Sequence, residues 1–238
     1  MSKQASKPQP AIFFGHGSPG NVMEDNIFTR CWKQLGIEFG KPRAIICISA
    51  HWFTRGVHVT SGSNPPTIHD FGGFPEEMYD LRYSAPGDPD LARQICERLS
   101  CANAILDGER GFDHGSWCVL SKAFPEADIP IVQVSMDAGM LPSQHFEIGS
   151  LLSEFRDENV MIVGSGNIVH NLPEMDWNMR DGSYKWAARF GDYIRDGIAN
   201  DHPHHLIDYA RRTGEPVRIE TPIIEYGSLD MTTVVVGP

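Results

Sequence analysis

AIFFGHGSPG, residues 11–20, passes from apolar to polar in a few positions. Ala11 to Phe14 reads as a short buried strand, since a brief apolar run closed by turn residues is the mark of one. Gly15, His16, Gly17, Ser18 and Pro19 end it abruptly. In an α/β protein, ligands bind in the crevice outside the carboxyl ends of the strands. His16 is therefore expected at an active edge, between glycines that let the backbone bend sharply and approach a ligand. A polar loop after a strand is also the commonest accident of structure, so the reading depends on whether the pattern repeats.

It repeats twice. Asn26–Phe39 carries Ile27, Phe28, Trp32, Leu35 and Phe39 at roughly helical spacing. Pro42 resets the chain, and Ala44–Ser49 (AIICIS) is a second continuous apolar run ending at Ala50, His51 and Trp52. Val160–Val163 is another strand; it runs into Gly164, Ser165, Gly166 and Asn167, with His170 a short turn later. Further strands are predicted at Val57–Thr60, at Ile129–Ser135 and, as the last element, at Tyr226–Val236. Helices are predicted at Asp88–Leu99, Ser143–Phe155, Lys185–Ala199 and Leu206–Arg212. Asp88 is placed to cap the first of these, with Pro89 at its opening position. Between them, Asn64–Pro89 has too many breakers for a long element, yet Phe71, Phe74, Tyr79 and Tyr83 are too apolar for a free linker. It reads as an ordered loop forming the wall or lid of a pocket. Strands alternate with helices throughout, which points to one α/β layer architecture. A single domain is expected over residues 1–238, with residues 1–10 a flexible N-terminus.

Composition narrows the function. The net charge of −11 argues against binding a phosphate backbone, so no nucleic-acid partner is expected. No run approaches the length needed to cross a bilayer, and MSKQASKPQP lacks the apolar core of a signal peptide, so the reading is cytoplasmic with no membrane partner. The 5 cysteines are scattered with no Cys-x-x-Cys pair; Cys47 and Cys96 fall inside apolar patterns, and a reducing compartment fits.

The candidate chemistry lies in His16, His51 and His170, each just beyond a strand's end. If the strands share a sheet, the three loops converge. Imidazole suits zinc and iron, and two histidines with an oxygen ligand is the pattern of non-haem Fe(II) oxygenases. His114, between Asp113 and Gly115, is placed to orient or protonate a substrate. For any one of these, a buried histidine satisfied by hydrogen bonds is the alternative. His58 and His145 read as structural or exposed, and His202, His204 and His205 as an exposed loop. His69 belongs to the aromatic loop and is a weaker candidate for a pocket. No Gly-x-Ser-x-Gly elbow, dinucleotide fingerprint or P-loop occurs.

Taken together, HGSPG at 16–20, SAHW at 49–52, HDFGGFP at 69–75, YSAPGDP at 83–89, DHGSW at 113–117, GSGNIVHNL at 164–172 and EYGSLDMTT at 225–233 resemble the DODA-type extradiol ring-opening dioxygenases. These belong to the LigB-like superfamily of class III extradiol enzymes. The resemblance covers nearly the whole chain. It implies a three-layer α/β fold, a central mostly parallel or mixed sheet flanked by helices, around one mononuclear metal per chain. By that resemblance His16 and His51 are metal ligands, His170 is a ligand or the acid/base histidine beside the metal, and His114 faces substrate. The implied activity is cleavage of a catechol such as dihydroxyphenylalanine next to its diol, with Fe(II) and O2, zinc being found in some such sites as isolated. A histidine base would take a phenolic proton and return it later as an acid. Two other readings use the same residues: a zinc hydrolase acting through a metal-bound water, and a catalytically impaired binding homologue. One departure stands out. Family members carry a Pro-Glu-His element between the region of Pro222 and the final strand, whereas here IETP at 219–222 runs straight into IIEYGSLDM at 223–231. Both flanks match, so Pro222 and Ile223 are expected not to be neighbours in the complete protein.

Overall fold

A computed structural model describes residues 7–179, 182–200, 217–220, 224–225, 229–231 and 233–236. In chain order the strands are β1 (Ala11–Gly15), β2 (Ala44–Ser49), β3 (Phe53–Thr54), β4 (His58–Thr60), β5 (Ile105–Asp107), β6 (Ile131–Gln133), β7 (Met136–Asp137), β8 (Val160–Gly166), β9 (Val217–Glu220), β10 (Ile224–Glu225), β11 (Leu229–Asp230) and β12 (Thr233–Val236). The α-helices are α1 (Ile27–Phe39), α2 (Glu77–Asp80), α3 (Pro89–Arg98), α4 (His114–Ala123), α5 (Pro142–Leu152) and α6 (Lys185–Ala199).

The central sheet has the order β6-β2-β8-β1-β12-β9. β6, β2, β8 and β1 are parallel, while β12 and β9 extend the sheet antiparallel. The parallel strands are continuous apolar runs because both faces are covered, as parallel sheets require. Ile12, Phe14, Ile45, Cys47, Met161 and Val163 face one way, onto Phe28, Trp32 and Leu35 of α1 and Trp117 and Leu120 of α4. Ala44, Ile46, Val160 and Ile162 face the other way, onto Leu91 and Ile95 of α3 and Leu152 of α5. The result is a three-layer α/β fold with a mostly parallel sheet. On the second side, Ile194 and Ile198 of α6 close over Ala11, Phe13 and Ile162 around a largely apolar cavity of about 580 Å³.

Local sequence explains several boundaries. Asn26 caps α1 by accepting from the N–H groups of Phe28 and Thr29, both at 3.0 Å, and Thr29 Oγ1 accepts from the Asn26 N–H in return. Asp88 caps α3 through the Leu91 N–H at 2.9 Å, with Pro89 opening the helix. Lys185–Ala199 is the longest described helix.

Other boundaries move. The strand expected over Ile129–Ser135 is confined to Ile131–Gln133, because Met136 and Asp137 pair with Phe53 and Thr54 in a separate small sheet. The helix expected at Ser143–Phe155 begins at Pro142, ends at Leu152 and continues as a 3-10 helix through Glu158. The closing strand expected over Tyr226–Val236 is divided: Leu229–Asp230 pairs with Ile224–Glu225, and only Thr233–Val236 joins the central sheet. Between them Met231 is fully buried over the loop after β1, which takes that residue out of the ladder. Gln9 is bonded through its side chain to Asn159 at 2.6 Å, so the chain joins the body before β1. The predicted helix at Leu206–Arg212, the histidines 202, 204 and 205, and the junction of Pro222 with Ile223 lie outside the described residues.

Candidate metal centre

The strand order brings the ends of β1 and β2 to either side of β8. Pairing continues past the strands: the His16 N–H donates to Gly166 O at 3.1 Å, and the Ala50 N–H to Ser165 O at 2.9 Å. β1 and β2 are two strand spacings apart, roughly 10 Å, a gap that two imidazoles reaching inward over β8 can close. His16 Nε2 and His51 Nε2 lie 3.1 Å apart. Gly17 makes the first loop possible. Its φ is +58°, and a Cβ there would sit 2.1 Å from the sulfur of Met231.

The third imidazole comes from a helix. Asp113 caps α4 by accepting from the Ser116 N–H at 3.2 Å, and His114 is the first helical residue. The ring centroids of His51 and His114 are 3.9 Å apart, and those of His16 and His114 5.7 Å. Among the described residues, ring nitrogens of His16, His51 and His114 all lie within 4.8 Å of one another. His170 is exposed, beyond the end of β8, and falls outside this group. A positive charge at His170 would oppose protonation of both His16 and His51.

The hydrogen bonds behind the rings decide which nitrogen faces inward. Ser165 Oγ donates to Gly115 O, so its lone pairs accept from the His16 ring at Nδ1, 2.9 Å away. That places the His16 proton on Nδ1 and leaves Nε2 bare. Asp70 Oδ1 accepts from His114 Nδ1 at 2.9 Å and from the His114 backbone N–H, also at 2.9 Å. Burial alone would raise the Asp70 carboxyl; the His114 hydrogen bonds and charge outweigh it and hold the group at about 2. Burial lowers the pKa of His16 well below the ordinary value, helped by the neighbouring His51, His114 and His170. His51 is lowered by burial and then by His114, against the opposing charges of Asp113 and Asp70.

Neutral imidazoles with bare nitrogens are metal ligands. Two nitrogens at about 2.0–2.1 Å from one ion are separated by roughly 2.8–3.4 Å for bond angles of 90–109°, and the His16–His51 spacing of 3.1 Å falls within that range. The donor set therefore fits a single nitrogen-liganded metal ion.

Beneath the rings lies a buried polar network. Asp113 Oδ1 accepts from Ser49 Oγ at 2.6 Å; Asp113 Oδ2 accepts from Gln133 Nε2 at 2.9 Å and from Arg110 at 3.3 Å. A buried carboxylate is tolerable only when so satisfied. Gly115 lies against this network: a Cβ there would be 2.5 Å from Ser49 Oγ and 2.9 Å from His51 Cδ2.

The Asn64–Pro89 stretch is an ordered wall. Phe112 exchanges backbone bonds with its Pro66 and Ile68, through Phe112 N–H to Pro66 O and Ile68 N–H to Phe112 O, both 2.8 Å. Trp117 Nε1 donates to Ile68 O at 2.9 Å. Phe71 stands edge-on to His114 with centroids 5.8 Å apart, and packs on Phe74 and Tyr79. His69 packs among Phe71, Tyr79 and Trp117 and hydrogen-bonds at Leu81 O, so it braces the wall rather than joining the cluster. The residue of this stretch that reaches the site is its neighbour, Asp70. Sequence reasoning passed over Asp70, Ser165 and Ser49 as site residues; the available signal for Asp70 was a lone carboxylate within the HDFGGFP motif. The apolar cavity beside α6 is lined by none of the three histidines.

Comparisons with known proteins agree in direction. Residues 20–216 match the family described as the catalytic LigB subunit of aromatic ring-opening dioxygenase. The chain is 44% identical over 261 residues to the 4,5-DOPA dioxygenase extradiol of Escherichia coli K12, covering 98% of this chain and 96% of that protein. It is 34% identical to the enzyme of the same name from Portulaca grandiflora, covering 91% and 82%. A crystal structure of an uncharacterised protein from Escherichia coli K12 superposes with a TM-score of 0.82 at 39% identity, covering 96% of this chain and 100% of that one. The first alignment, at 261 residues, is longer than the 238 residues of this chain, so that relative carries aligned residues with no counterpart here.

Proposed function

The chain belongs to the LigB family of extradiol aromatic ring-opening dioxygenases, and from that membership we propose that it uses Fe(II) and O2 to open the ring of a catechol resembling dihydroxyphenylalanine. The observation that carries the proposal is the meeting of three imidazoles from β1, β2 and α4, two of them at ligand spacing. Its relatives are named dioxygenases, which favours this reading over a zinc hydrolase on the same histidines.

His16 and His51 hold the metal through Nε2, His16 with its tautomer set by Ser165. Bound there, Fe(II) supplies the one-electron chemistry that lets O2 react with an aromatic diol, a step closed to zinc, which has no redox chemistry. The remaining work is proton transfer. His114 presents Nε2 to the same space, with its Nδ1 proton held by Asp70, so it takes a proton from a substrate hydroxyl and returns it to the product. His170, at the exposed side, is the second proton carrier. The aromatic wall of Phe71, Phe74 and Tyr79 stands beside His114 and offers an apolar surface for a catechol ring to pack on.

The test is aerobic turnover of a panel of catechols after anaerobic loading with Fe(II). A yellow ring-opened product from at least one catechol, formed with Fe(II) and not with Zn(II), is the expected result. Absence of product across the panel, with one Fe(II) bound per chain, would refute the proposal.

A further inference from the structure

Asp70 is the one carboxylate that reaches the imidazole cluster from the aromatic wall. A single oxygen, Oδ1, accepts from both the backbone N–H and the ring Nδ1 of His114, each at 2.9 Å. Those two bonds define the ring completely. The backbone bond anchors the carboxylate at the first turn of α4, where the exposed N–H groups of a helix favour an anion. The ring bond then selects one rotamer and one tautomer, because an ionised carboxylate can only accept and the Nδ1 atom must carry the hydrogen. What remains for the site is the bare Nε2. The Asp70 side chain is only 26% exposed and that of His114 8%, so water competes weakly for either bond.

We propose that Asp70 is the positioning residue for His114, presenting Nε2 as an acceptor toward the space shared with His16 and His51. This rests on the proton-carrying role given to His114 above. The carboxylate also links two parts of the enzyme. Asp70 belongs to the segment whose Pro66, Ile68 and Phe71 pack on Phe112, Trp117 and His114, so the wall and the residue that aims the base form one packed unit. Partners of this kind, one shell behind a working imidazole, are worth about 10–100-fold in activity or affinity.

Two measurements test it. In the zinc-loaded protein, ¹⁵N chemical shifts of the His114 ring report directly where the proton sits. A protonated Nδ1 with an unprotonated Nε2 is expected in the native chain, giving way in Asp70→Ala to a tautomer mixture. A proton on Nε2 in the native chain would overturn the proposal whether or not any variant folds.

The second measurement is a double-mutant cycle on the Fe(II)-loaded enzyme. Asp70→Ala is expected to lower kcat by about 10–100-fold with KM changed no more than about twofold and one metal still bound. Asp70→Asn keeps an oxygen that accepts both N–H groups and should recover most of the loss. In a His114→Ala background, Asp70→Ala should cost nothing more, since residues acting through one another are not additive. Full additivity, or an equal loss in Asp70→Asn and Asp70→Ala, would show that Asp70 does not act through His114. If His114→Ala itself leaves turnover intact, the role given to His114 fails instead, and the two failures are separately visible.

Discussion

Replacing Gly115 by alanine tests whether the α4 N-terminus is fitted to the metal site. In a helix, alanine is ordinarily about 0.8–1.0 kcal/mol better than glycine, so propensity alone predicts a more stable protein. The structure predicts the opposite. The new Cβ would lie 2.5 Å from Ser49 Oγ, 2.9 Å from His51 Cδ2 and 3.3 Å from Asp113 Oδ1. Ordinary contacts are about 3.5–4.0 Å, so the His51 ring must retreat by roughly 0.6 Å or more and Ser49 Oγ by about 1 Å. Ser49 cannot turn away freely, because it donates to Asp113 at 2.6 Å and accepts from the His51 N–H at 3.2 Å. Losing a buried hydrogen bond costs about 1–3 kcal/mol. Set against the helical gain, the net is a destabilisation of up to about 2 kcal/mol, or a fall in Tm of up to about 8 °C for a chain of this size. The displacement of His51 also exceeds the roughly 0.2 Å tolerance of a metal–ligand bond, so affinity should fall about 10–100-fold. Thermal unfolding of the metal-free protein and zinc titration against a competing chelator measure the two effects. A raised Tm with native zinc affinity would refute the reasoning, leaving Gly115 an ordinary helical glycine.

Other expectations follow from the same contacts. His16→Ala and His51→Ala should each abolish stoichiometric metal binding, whereas His114→Ala should keep the metal and lose about 10²–10⁴-fold in turnover; metal analysis beside kinetics separates the two classes. Ser165→Ala removes the acceptor that holds the His16 proton on Nδ1 and should weaken zinc about 10-fold or more with the fold intact, as chelator competition would show. The depressed pKa values of His16 and His51 predict a pH dependence of the metal-free protein. Above about pH 6.5 both rings are neutral folded or unfolded, and they contribute no slope. Below it the unfolded chain binds protons that the folded chain refuses, so stability falls by up to about 1.4 kcal/mol per pH unit for each proton. Urea midpoints should therefore drop between pH 7.5 and 5.5, and a flat or rising profile would contradict the burial argument. Asp88→Ala should cost about 1 kcal/mol through loss of the α3 cap, with activity unchanged.

Much of the site's framework is legible in local sequence because its determinants are local. AIFFG and AIICIS are strands by virtue of being apolar on both faces, and His16 and His51 follow them directly. Asp113, by capping α4, makes His114 the first residue of a helix, which the reading of the sequence did not assign, although an acidic cap precedes the apolar run to Ala123. His170 shows where this kind of reading runs out. Its sequence position resembles that of His16 and His51, yet several residues separate it from Gly166, and in that interval the chain carries it to the exposed side. The roles of Asp70 and Ser165 depend on contacts across 44 and 149 positions of sequence, so no window of neighbouring residues contains them.

The sequence by itself determined that the protein is an α/β chain with histidines at strand ends, and its motifs placed it among ring-opening dioxygenases. Periodicity, capping and breaker residues act over one or two turns, and they need no knowledge of the rest of the molecule. Only the tertiary structure decided which histidines meet. The strand order β2-β8-β1 sets His16 and His51 over Ser165, and the docking of α4 and the aromatic wall brings in His114 with Asp70 behind it. Strand order and tautomer are settled by pairing and hydrogen bonds between distant segments, and those energies exist only once the chain has closed on itself.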